Sequence, residues 1–139
     1  GITTTFVDPD DVNNFEKAVK SNTRVFFAET LGNPKLDVLD LKAISQKAKK
    51  AKVPFVVDNT IATPALLNPI EHGANIVIHS LTKFICGHGT SMGGIVVDCG
   101  NFNYLKDDKY PALSRPNSSY NNIKFSETFG DFGYALKTS

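Results

Sequence analysis

Lys83 stands just past a short apolar run, Ile76-Val77-Ile78, with Ser80 and Thr82 immediately before it. A lysine beyond a buried strand can form a Schiff base with an aldehyde once its amine is partly desolvated. Asp58 closes an earlier run, Pro54-Phe55-Val56-Val57. A carboxylate there can pair with a protonated ring nitrogen, the partner a pyridoxal electron sink requires. The hydroxyls of Ser80 and Thr82, with nearby backbone N–H groups, can hold a phosphate. A lysine, an acid and a hydroxyl pair are together what pyridoxal 5′-phosphate (PLP) needs from a protein.

Taken singly, each residue has a plainer role. A lysine beyond a strand is usually solvated, an aspartate is a common turn former, and Ser and Thr are common caps. Their joint placement gives the chemical reading its weight.

The elements that must position these groups follow from periodicity. Asp8-Pro9-Asp10-Asp11 reads as a helix start, after which Val12, Phe15, Ala18 and Val19 share one helical face. Arg24–Ala28 is a short β-prone run leading into Glu29-Thr30. Asp37 is placed to cap a second helix carrying Val38, Leu41, Ile44, Ala48 and Ala51 at spacings of three or four. Further strands are expected at 54–57, 75–79 and 94–98. The middle runs are apolar throughout, as strands covered on both faces should be. Strands alternating with amphipathic helices predict an α/β domain with a mostly parallel sheet and helices on both faces. In such sheets ligands bind at the carboxyl ends of the strands. Glu29–Asn33, Asp58-Asn59-Thr60 and Ser80–Lys83 all fall there. The regular α/β part is expected over 1–100, a long surface loop over 101–125, and the start of a further element over 126–139.

Composition narrows the classes. At 41% apolar and 21% charged residues, the chain is an ordinary globular one. A formal net charge of +1 argues against nucleic acid as a partner, and no apolar run is long enough to span a membrane. Lys47, Lys49, Lys50 and Lys52 read as the solvated face of a helix. Cys86 and Cys99 form no C-x-x-C pair and no disulfide framework, so a reducing, cytoplasmic setting is expected. His72, His79 and His88 show no metal-ligand spacing with the cysteines, so no metal is expected. The absence of an initiator methionine is what a piece of a longer chain would show.

The segments Glu29-Thr30-Leu31-Gly32-Asn33-Pro34, Asp58-Asn59-Thr60 and Ser80-Leu81-Thr82-Lys83 resemble the Cys/Met-metabolism group of PLP enzymes. Asn33 to Asp58 and Asp58 to Lys83 are each 25 residues apart, which fits that group. The similarity includes Phe6–Asp11 and Glu127-Thr128-Phe129-Gly130 and fades near Phe132-Gly133. It implies PLP as cofactor and part of the large domain of fold type I, the aspartate-aminotransferase-like PLP-dependent transferase fold. It also implies roles: Lys83 as the catalytic Schiff-base lysine and proton carrier, Asp58 on the pyridine nitrogen, and Ser80 and Thr82 on the phosphate. Asn33 would lie near the cofactor's 3-hydroxyl and the substrate carboxylate, and Thr60 beside the ring, positioning Asp58.

Gly87-His88-Gly89-Thr90, in place of the Gly-His-Ser-Asp of lyases and cystathionine synthases, resembles the sulfhydrylase branch. The Glu29–Pro34 segment and the Val97–Phe102 stretch agree. The implied reaction is γ-replacement, in which O-acetylhomoserine and sulfide give homocysteine and acetate. A cystathionine or methionine γ-lyase, a cystathionine γ-synthase and a non-catalytic truncated paralogue are the alternatives. Leu81 stands where the branch commonly has alanine, and Cys86 where it commonly has glycine. The Tyr and Arg residues that grip phosphate and substrate carboxylate in the family have no counterparts here. This stretch alone is therefore expected to be inactive, and its full-length form is expected to be a homodimer or homotetramer. A rival nucleotide-binding reading of Gly87–Gly94 fails because the stretch has neither G-x-G-x-x-G order nor a G-K-[ST] ending.

Overall fold

The structure, a computed structural model, describes residues 1–139. The chain forms two compact units, Gly1–Val97 and Asp98–Ser139. No helix is long and apolar enough to cross a membrane.

The first unit is built on a sheet of order β1-β2-β3-β4: Phe26–Glu29, Phe55–Asp58, Ile76–Ser80 and Gly94–Asp98. The first two pairings are parallel, with Phe26 opposite Phe55, Glu29 opposite Asp58, and Asp58 opposite Ile78. The connection from β1 to β2 carries helix α2 (Leu41–Ala51), as a parallel crossover requires. Beyond β3 the chain turns back. Leu81 N–H donates to Gly93 C=O at 3.0 Å, and Gly94 lies against the His79 carbonyl. The order of contacts is reversed, so β4 runs antiparallel to β3.

Helix α1 (Asn13–Lys17) and α2 cover one face of the sheet. Phe15 from α1 meets Phe26 with ring centroids 5.4 Å apart. Ile44, Ala48, Phe55 and Val57 are buried together beside them. Full burial of side chains such as Ile44 and Phe55 contributes about 2–3 kcal/mol each. On the opposite face the central Val56 and Ile76 are buried, whereas Phe27 and Val96 on the edge strands are each 54% exposed.

Two helix starts differ from expectation. Asp40, not Asp37, caps α2, its Oδ1 accepting the Ala43 N–H at 2.9 Å. Asp37 is held instead in a turn where its carbonyl accepts the Gly32 N–H, beside a bridge between Leu31 and Val38. The acidic stretch before α1 forms a turn of its own. Asp8 accepts the Asp10 N–H and Asp11 the Asn13 N–H, so the helix begins only at Asn13. From the lysine cluster, Lys47 reaches Glu16 at 2.7 Å and Lys50 also binds it, joining α2 to α1.

The second unit has no sheet of its own. Residues 101–125 hold a short helix α3 (Pro111–Ser114), followed by α4 (Phe125–Phe129) and α5 (Gly133–Thr138). Its core is Tyr104, Leu113 and Phe125, with Phe102, Tyr110, Ile123 and Tyr134 against them. Tyr104 meets the edges of Phe102 and Tyr110 at 4.9 and 5.3 Å. Burial pushes the Tyr104 hydroxyl and the Asp98 carboxyl above their ordinary ranges.

Candidate active site

At the carboxyl ends of β1, β2 and β3 lies an open cleft of about 220 Å³, lined by Glu29, Leu31, Asn33, Asp58, Thr60, Ile61, Ser80 and Lys83. Five of the six candidate residues therefore meet in one place. Parallel strands bring them there, because each strand ends at the same edge of the sheet.

Asn33 is carried on the loop after β1. That loop is closed by Gly32 N–H to Asp37 C=O at 3.0 Å, and Glu29 Oε2 accepts the Asn33 N–H at 3.0 Å. The Asn33–Pro34 peptide is cis. Its base is anchored through buried Thr30, whose N–H extends the β1–β2 ladder to Asp58 C=O at 2.9 Å.

Asp58 is the last residue of β2, and its Oδ1 accepts the Thr60 N–H at 2.9 Å. That bond fixes the carboxylate's direction and leaves the second oxygen for a donor in the cleft. Thr60 in turn accepts the Ser80 N–H on its hydroxyl at 2.8 Å, linking the ends of β2 and β3.

Lys83 sits in a π-helical turn, Leu81–Ile85, where its own backbone leaves helical geometry at φ −87°, ψ −116°. Cys86 N–H reaches Leu81 C=O at 2.9 Å and Gly87 N–H reaches Lys83 C=O at 2.8 Å. The wide turn presents the lysine to the cleft instead of continuing the strand's alternation; such turns recur at functional sites.

Thr82 is the one candidate the structure does not bring into the cleft. Its Oγ1 accepts the Gly93 N–H at 2.9 Å and donates to the Gly93 carbonyl at 3.3 Å, which ties the lysine turn to the start of β4. Three lining residues were given no role of their own from the sequence: Glu29 and Leu31, which lie in the strand-end segment Glu29–Asn33, and Ile61. Glu29 is the most consequential, since it adds a second carboxylate opposite Asp58 in the strand register. Its position at the strand end was the only signal.

The donor set fits PLP. It combines an amine for the aldehyde carbon, a carboxylate for the pyridinium nitrogen, a serine hydroxyl for the phosphate and a carboxamide for the ring hydroxyl. Residues 1–127 match the family described as Cys/Met metabolism PLP-dependent enzyme.

The chain belongs to that family.

Among its relatives, the chain is 54% identical over 132 residues to an O-acetyl-L-homoserine sulfhydrylase of Leptospira meyeri, covering 95% of this chain and 30% of that protein. It thus spans about 30% of the length of the curated family members it matches. Its fold superposes with a TM-score of 0.82 on a crystal structure described as an O-acetylhomoserine (thiol)-lyase of Campylobacter jejuni. The two are 35% identical, and the match covers 95% of this chain and 34% of the other. That structure carries N′-pyridoxyl-lysine-5′-monophosphate. A cystathionine γ-synthase of Xanthomonas oryzae pv. oryzae is 38% identical with a TM-score of 0.62, over 66% of this chain and 24% of its own. The architecture is therefore part of the type I fold of PLP-dependent enzymes, and PLP is the family's cofactor.

Proposed function

We propose that this chain forms part of the cofactor-binding core of an O-acetylhomoserine sulfhydrylase, which replaces the acetoxy group of O-acetylhomoserine with sulfide to give homocysteine and acetate. The observation that carries the reading is the single cleft joining Lys83, Asp58, Asn33, Thr60 and Ser80 at the ends of three parallel strands. The relative named O-acetyl-L-homoserine sulfhydrylase supports the choice of reaction.

PLP supplies, when bound, an electron sink that stabilises negative charge developing on the substrate carbons. The chain's own residues do the rest. The Lys83 amine would hold the cofactor and would carry protons between substrate carbons. Asp58, aimed by the Thr60 N–H, keeps the ring nitrogen protonated. Ser80 would take a phosphate oxygen, and Thr82 would add its hydroxyl from the turn that it ties to Gly93. Asn33, held by Glu29, orients the ring hydroxyl and the substrate carboxylate. The full-length protein is a homodimer or homotetramer acting in the cytoplasm on small molecules.

The test is a nucleophile comparison on the intact protein. Homocysteine and acetate formed from O-acetylhomoserine and sulfide support the reading. The 38% identity to a cystathionine γ-synthase favours one second reading, in which cysteine is the nucleophile. Cystathionine as the main product with cysteine, and no homocysteine with sulfide, would replace the first reading with the second.

A further inference from the structure

The β2–β3 ladder ends in an unusual way, one residue past Asp58. Asn59 N–H donates to Ile78 C=O at 2.8 Å, an ordinary parallel rung. By the same alternation, the next rung would join Ser80 N–H to Asn59 C=O. The structure instead gives Ser80 N–H to the Thr60 hydroxyl at 2.8 Å, and meets Asn59 C=O with Nδ1 of His79 at 3.2 Å. Two side chains thus replace one backbone rung. A carbonyl only accepts, so His79 Nδ1 carries a proton and donates it. His79 is 5% exposed and Asn59 fully buried, so neither group can turn to water if the contact is lost.

The position of this splice gives it meaning. Upstream of it the strands are joined by direct rungs, and the cleft lies at their carboxyl ends. Asp58 precedes Asn59, and Ser80 with the Lys83 turn follows His79. The spacing between the groups for the ring nitrogen and those for the phosphate and aldehyde is therefore set across this joint.

We propose that His79 is a positioning residue, whose Nδ1 bond to Asn59 C=O fixes the spacing of the Asp58 and Ser80–Lys83 strand ends. The role rests on the cofactor reading of the cleft given above. Thr60 supplies the other half of the joint, so loss of either side chain loosens the same place.

The experiment uses the intact protein with two readouts: PLP affinity of the apoprotein, followed by visible absorbance, and hydrogen exchange of the Asn59 and Ser80 amides without cofactor. His79→Phe keeps a ring but removes the donor. It should weaken PLP binding about five- to tenfold, the size of one lost net hydrogen bond, and speed exchange at both amides. His79→Asn places an N–H donor the same number of bonds from Cβ and should restore both. Should His79→Phe not accumulate folded, Thr60→Val removes the other half and should give the same two changes. PLP affinity unchanged in His79→Phe, or faster exchange with unchanged affinity, overturns the role, as does failure of His79→Asn to restore. A wild-type protein that takes up no PLP overturns the cleft reading itself, and the role falls with it. A PLP-binding wild type matched by His79→Phe overturns the role alone.

Discussion

The Glu29 carboxylate accepts the backbone N–H of Asn33 at 3.0 Å, so an acid at the end of β1 holds the loop that carries a candidate cofactor contact. Glu29 also lies opposite Asp58 in the strand register. The two carboxylates divide the work: Asp58 is aimed into the cleft by Thr60, and Glu29 is engaged with the loop.

Removing the Glu29 carboxylate should therefore loosen Asn33. Glu29→Ala is expected to cost about 1 kcal/mol of PLP binding, or roughly fivefold in affinity, since an exposed hydrogen bond is worth no more. Glu29→Gln keeps an acceptor oxygen and should lose less. Fluorescence titration of the apoprotein checks both; equal affinities for wild type and Glu29→Ala would show that the loop holds Asn33 without it.

Acid should release the joint between the first two helices. Hydrogen bonds from Lys47 and then Lys50 draw the Glu16 carboxyl down from 4.5 to about 2. A depressed value in the folded state means that the unfolded chain takes up the proton first. The stabilisation is then complete above pH 4.5 and is lost as pH falls toward 2. Wild type should have a higher urea midpoint than Glu16→Gln at neutral pH, and the gap should close in acid. A gap that persists at the lowest pH would mean that Glu16 acts through packing alone.

The sheet-and-helix core should be intolerant of truncation. Phe55 and Ile44 are fully buried in one cluster, so Phe55→Ala should cost about 3–5 kcal/mol and Ile44→Val about 1 kcal/mol. Denaturant unfolding measures both. A small loss for Phe55→Ala would place it outside the cooperative core.

Gly73 ends the turn before β3 with φ +94°, and a Cβ there would stand 2.4 Å from the Ser45 hydroxyl of α2. Gly73→Ala should destabilise by about 2 kcal/mol or more, combining the left-handed backbone and the collision. Adding Ser45→Gly should recover the collision share and leave the backbone share. Additive losses in the double variant would argue that the helix never approaches the turn.

The residues at the cleft were legible because the code for them is local. Phe55–Asp58 and Ile76–Ser80 are unbroken apolar runs closed by a polar residue, and parallel strands must bring such ends to one edge. Asp37 and Asp40 show where locality stops. Both are good caps in sequence, and the choice was made by pairing between Leu31 and Val38, seven residues apart. Glu29 and His79 were invisible as working residues for a similar reason: their partners are set by loop closure and strand register, not by neighbours in sequence. Thr82 follows a strand end, as a phosphate-binding hydroxyl would, but its bonds to Gly93 are set by the turn back to β4, which no local signal shows. The aromatic residues at 102, 104, 110 and 134 have no period, so their assembly into a second core gave no helix or strand signal.

Borohydride reduction of the PLP-loaded protein, followed by peptide mapping, tests whether Lys83 holds the cofactor. A phosphopyridoxyl group confined to Lys83, and absent from Lys83→Ala, is the predicted result. An adduct on another lysine, with none on Lys83, would contradict the account of the cleft.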